Sequence, residues 1–137
     1  MDELLASTQI SLSGMKAQAR RLRVVSQNMA NADSIAKVSG GAPYQRQLIV
    51  FRDVMDRNIG GRVVQANRVI KDQAPFGRRF EPSSPAADEN GYVLTPNVNM
   101  LIEMMDMRQA QRAYEANLAV MNLSKDMTMR ILDSLNS

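Results

Sequence analysis

All five prolines and six of the seven glycines of this 137-residue chain lie between Asp33 and Val98, which leaves only its two ends free to run as long helices. From Leu4 to Ala32 the one interruption is Gly14, and Leu5, Thr8, Leu12, Met15, Ala19, Leu22, Ser26 and Met29 recur at alternating steps of three and four. That period predicts an amphipathic helix with a heptad seam, with Gln9, Lys16, Gln18, Arg20, Arg23 and Gln27 outside it.

From Asn99 to Leu135 Pro and Gly vanish again, and two apolar stripes stand at helical spacing. One runs through Met107, Tyr114, Leu118, Met121, Leu132 and Leu135, the other through Ala113, Ala116, Val120, Leu123, Met127 and Ile131. A helix apolar on two faces needs more than one partner. Asn97 or Asn99 can cap its start, and Glu103 and Asp106 suit the positive end of its dipole. Between the helices, β-type runs occur at Gln47 to Phe51, Val63 to Ile70 and Tyr92 to Leu94, and Asn90-Gly91 suits a tight turn before the last. The expected fold is therefore mainly α with a small β insertion. An N-terminal helix over 1–33 and a C-terminal helix over 99–137 pair as a coiled-coil-like hairpin around an irregular β and extended region over 34–98.

Some 35 helical residues reach about 50 Å, whereas a compact globule of this length is about 35 to 40 Å across. The terminal helices overshoot such a globule, so the second face of the C-terminal helix is expected to meet another chain. Seven of the eleven Met residues lie in that helix, and their unbranched side chains suit non-identical neighbours or the filling of a helical hairpin core.

Chemistry finds little footing. The chain has neither Cys nor His, which removes thiolate nucleophiles, imidazole bases and most zinc or haem ligation, so no enzyme and no cofactor are expected. Glu103 and Asp106 are three residues apart but have no His, Cys or third carboxylate beside them, and Asp88-Glu89-Asn90-Gly91 lacks most ligands of a calcium loop. A net charge of +3 is mild, and no aromatic residue interleaves Arg20, Arg21 and Arg23, so nucleic acid is not an expected partner. The sequence starts without a basic and apolar leader, and its longest apolar runs, Leu48 to Phe51 and Leu118 to Met121, are too short to span a membrane.

Ser26-Gln27-Asn28-Met29-Ala30-Asn31-Ala32 resembles the N-terminal signature of the flagellar rod and hook axial proteins, and Arg112-Ala113-Tyr114-Glu115-Ala116-Asn117 resembles their C-terminal signature. The stretch from Ala86 to Asn99, Glu103 to Met107, Pro43 to Phe51 and Ala74-Pro75-Phe76 are similar to one rod-subunit type of that family, so the likeness covers nearly the whole chain. It departs at Met29, where the family often has an aliphatic residue, in the variable loop 34–42, and in the loose segment Phe80 to Pro85.

The resemblance implies a non-catalytic subunit of the proximal rod that self-associates helically around the export channel and contacts other rod proteins, the membrane ring and the export gate. It also implies a periplasm-spanning position in the basal body, reached unfolded through the flagellar type III export apparatus without a cleaved signal. On this reading Leu5, Leu12, Met15, Leu22, Met29, Met107, Leu118, Met121 and Leu132 form the helix seam and subunit interface, and Asn28, Asn31, Tyr114 and Asn117 set its register. The alternative is a soluble helical adaptor or export-chaperone-like module with an intramolecular bundle.

Overall fold

The computed structural model describes residues 1–137, the side chain of Asn67 excepted. Helix α1 spans Asp2–Ala30, strands β1 to β4 span Gln47–Asp56, Gly61–Lys71, Gly77–Phe80 and Tyr92–Thr95, and helix α2 spans Met100–Asn136. Both terminal helices are where the proline-free ends place them.

Helix α1 starts with Asp2 and Glu3 in its first turn, where carboxylates meet the positive end of the helix dipole. It ends at Asn31, whose backbone N–H and side-chain amide both donate to the Gln27 carbonyl, at 3.1 and 2.9 Å. No non-glycine residue among those described has positive φ, so the helix ends without a left-handed residue. At the other end Asn99, not Asn97, caps α2: its Oδ1 accepts from the Leu101 N–H at 3.0 Å.

Strands β1 and β2 form one two-stranded sheet and β3 and β4 another. The connection Arg57–Gly60 turns the first hairpin, with Gly60 at φ 70° and the Asp56 carboxylate accepting from the Asn58 N–H at 2.9 Å. Strand β3 pairs antiparallel with β4, Gly77 opposite Thr95 and Phe80 opposite Tyr92, and the two rings meet edge to face at 5.3 Å. The expected turn before Tyr92 is present: Gly91 has φ 84° and its N–H donates to the Asp88 carbonyl at 3.0 Å.

Two compact units cut across the three sequence segments. The first contains Met1–Leu22, Val50–Arg68 and Arg108–Ser137, and the second contains Arg23–Ile49 and Val69–Met107. In the first unit the buried apolar side chains are Met15, Ala17, Val63 and Ala110, and in the second they are Val24, Val25, Pro43, Val93 and Pro96. Both apolar interiors are thin, and in the second unit Glu103 and Asn28 are buried beside the aliphatic residues.

Candidate functional site

In the first unit the two helices meet through small and polar residues. Ser124 Oγ donates to Ser7 Oγ at 3.2 Å, Gly14 faces Asn117, and the Arg21 guanidinium donates to Gln109 Oε1 at 3.2 Å. These contacts step by about seven residues up α1 and down α2, which makes the pair antiparallel with a heptad register. Closeness is the point of the small residues: a Cβ added to Gly14 would lie 2.8 Å from Asn117 Nδ2. Ser11, Ala110 and Ser124 are buried along the same line.

This seam corrects the sequence expectation in phase and in character. Met15 is buried, and Leu22, Tyr114, Asn117, Leu118 and Met121 are half-buried, but Leu5 is 59% exposed and Leu12 and Leu132 are also outside the intrachain seam. The pairs Leu4/Leu5 and Ser11/Leu12 allow the three-four alternation to be read in two phases one residue apart, and the fold adopts the one that brings smaller side chains inward. Most of the second stripe of α2 has no cover in the chain itself. Ala113 is half-buried, but Ala116, Val120, Leu123, Met127 and Ile131 are all exposed, Leu123 at 61%.

The second unit is organised around charge. Glu103 is 0% exposed although Met100, Leu101, Ile102, Met104 and Met105 around it face outward. Its Oε1 accepts from Arg46 Nε, while Arg46 Nη1 reaches Asp72 at 3.1 Å and Nη2 reaches Asp106 at 3.3 Å. Glu103 stands in the first turn of α2, as the helix dipole favours, and it and Asp106 also share the Arg46 guanidinium. Asp72, distant in sequence, is a third carboxylate, and all three pair with Arg46.

Asn28, 1% exposed, completes the cluster. Its Nδ2 donates to the Gln47 carbonyl at 2.8 Å and to Glu103 Oε2 at 3.2 Å, and its Oδ1 accepts from the Gln47 N–H at 2.9 Å and the Tyr44 hydroxyl at 2.8 Å. A side-chain amide has the same donor and acceptor as a peptide, so Asn28 pairs with the first residue of β1 as a neighbouring strand would. Asn97 works similarly, accepting from the Arg46 N–H at 2.7 Å and donating to the Asp72 and Ala74 carbonyls. Met29, Asn31 and Met107 flank this cluster half-buried.

The electrostatics follow from these contacts. Burial opposes the Arg46 charge, but Glu103 and Asp72 outweigh it and hold the guanidinium above its ordinary pKa. The Ala74 N–H, with help from Arg46, holds the Asp72 carboxyl below its ordinary value despite burial. Burial, and then the Glu103 charge, push the Tyr44 phenol up.

Other flagged residues have structural partners. Asp88 Oδ1 accepts from the Asn90 and Tyr92 N–H groups, each at 2.9 Å, so its carboxylate shapes a turn. Arg20 and Arg21 donate to Ala66 and Gln109.

Residues 9–34 match the family described as "Flagella basal body rod protein", and residues 89–134 match "Flagellar basal body rod FlgEFG protein C-terminal". The chain is 42% identical to the flagellar basal-body rod protein FlgC of Agrobacterium fabrum, covering 100% of this chain and 99% of the relative. It is 41% identical to the FlgC protein of Salmonella typhimurium over 94% of this chain and 96% of that one, and 37% identical to that of Aquifex aeolicus over 98% of both. Likeness of this depth along the full length, with both helical signatures in place, shows that the chain belongs to the FlgC family of flagellar basal-body rod proteins.

Proposed function

We propose that this chain is a structural subunit of the proximal flagellar rod and that it assembles through the outward apolar faces of α1 and α2. The observation that carries the reading is the uncovered stripe Val120, Leu123, Met127 and Ile131, which runs along a helix already paired on another face. Isolated helices gain their stability mainly from burial of an apolar face, so a stripe of this length is a surface for other chains. An adaptor built as an intramolecular bundle would cover it within one chain.

In the rod the neighbours are further copies of this chain and other rod proteins, with the membrane ring and export gate at the proximal end. Leu5, Leu12 and Leu132 belong to the interfaces between subunits, and Asn28, Asn31, Tyr114 and Asn117 fix the register of the elements that present those faces. The paired helices carry torque and line the export channel. The subunit reaches its place across the periplasm through the type III export apparatus, and no helix among the described residues is long and apolar enough to cross a membrane.

Leu123→Asp tests this directly. The side chain is exposed in the single chain, so the unfolding midpoint of the isolated protein stays within about 0.5 kcal/mol of its original stability, while rod assembly and motility are lost. Normal assembly by this variant would remove the stripe from the interface.

A further inference from the structure

The α2 face that packs on α1 outruns its partner. The contacts Ser7 to Ser124, Gly14 to Asn117 and Arg21 to Gln109 set an antiparallel register in which Met1 stands level with about residue 130. No described residue of α1 is therefore opposite 131–136, although α2 continues to Asn136. Leu132 and Leu135 stand eleven residues, about three turns, beyond the half-buried Met121 and the buried Ser124, so they prolong the same face. Beyond α1 that face is bare, with Leu132 44% and Leu135 74% exposed.

Just before this overhang the two helices leave a groove of about 520 Å³, within the range of about 300 to 1,000 Å³ usual for binding clefts. Met1, Leu5 and Thr8 line its α1 side, and Met121, Lys125 and Met129 its α2 side. Asp2 lies about one turn further out than Lys125 in this register. Leu5 and Met129 are each more than half exposed. The groove therefore suits an apolar filler that brings a carboxylate to Lys125, and the end of α2 has that composition, with Asp133 between Leu132 and Leu135. A continuous helix cannot fold back into a groove lined by its own earlier turns, so the segment that fits comes from another copy.

We infer that this groove receives residues 131–136 of a second copy of the chain, with Leu132 and Leu135 against Leu5 and Met121 and with Asp133 beside Lys125. Setting Asp133 at Lys125 shifts parallel copies by eight residues, about 12 Å, and brings Leu135 level with Leu5. Tail and groove are different surfaces of one chain, so a copy that donates its tail keeps a groove for the next, and the contact repeats without closing on a pair. The inference rests on the proposed assembly through the outward helix faces and names one contact within it.

The test uses full-length chains, which have no native cysteine. Chains carrying only Leu5→Cys are mixed with chains carrying only Leu135→Cys, allowed to associate and oxidised. The disulfide-linked heterodimer exceeds either homodimer by about fivefold or more. Lys125→Asp and Asp133→Lys, both at exposed positions, each weaken self-association by about fivefold without moving the unfolding midpoint, and the two together in one chain restore it to within about twofold. Three results would each overturn the assignment: heterodimer no more abundant than homodimer, no rescue by the paired exchange, or a chain that stays monomeric at millimolar concentration. If these fail while Leu123→Asp still blocks rod assembly, this contact alone is removed and the subunit reading stands.

Discussion

The two units place their largest apolar side chains on the outside by different means. In the first, α1 and α2 approach through Ser7, Ser11, Gly14, Ala110, Asn117 and Ser124, while Leu5, Leu12, Leu123 and Met127 face away. In the second, Glu103, Asn28 and Arg46 hold the centre by directional bonds, and Met100 to Met105 turn outward around the buried carboxylate. Most soluble domains do the reverse, burying large apolar groups and leaving charges in water. The first unit therefore keeps its strongest apolar surface for association, whereas the second is specified by polar partners that only one arrangement satisfies.

That contrast is open to measurement. The largest effect belongs to Glu103→Ala, which leaves a largely buried Arg46 without its most buried partner and is expected to cost the isolated chain about 3 to 5 kcal/mol in urea unfolding. If Leu123→Asp destabilised the isolated chain as much, the distinction between the units would collapse. Next comes Asn28→Ala, which strands the Gln47 backbone and the Tyr44 hydroxyl and is expected to cost about 1 to 3 kcal/mol, with the hydroxyl regaining solvent exchange. The smallest effect is one of pH. The folded state holds the Asp72 carboxyl below its ordinary 3.8, so its contribution is present above that value and is lost as the pH falls through the lowered one. The unfolding midpoint should fall more steeply below about pH 4 in the parent than in Asp72→Asn; identical pH profiles would show that Asp72 adds nothing to the cluster.

Sequence periodicity located both helices because their apolar residues recur over many turns and Pro is confined to the middle. It placed the α1 seam through Leu5, Thr8 and Leu12, whereas the fold turns Ser7, Ser11 and Gly14 toward α2, because close helix approach favours small side chains over large ones. Strand β3 was illegible: Gly77-Arg78-Arg79-Phe80 is exposed throughout and is a strand only because β4 pairs with it. Strand β1 also continues past Phe51 to Asp56, where Arg52, Asp53 and Asp56 interrupt the apolar run that marked its start. Glu103 was placed at a helix end for its charge, and its true partner, Arg46, is 57 residues away. One signal was available, a lone carboxylate in a turn otherwise formed by Met100, Leu101, Ile102, Met104 and Met105. The edge-pairing role of Asn28 had none, because the acceptor and donor it meets are backbone groups of Gln47.

The chain has no native cysteine, so Leu123→Cys supplies a single reactive thiol at the most exposed central position of the α2 stripe. Labelling by a soluble maleimide should be fast in the isolated chain and blocked in the assembled rod. Equal labelling in both states would contradict the claim that this face is buried between subunits.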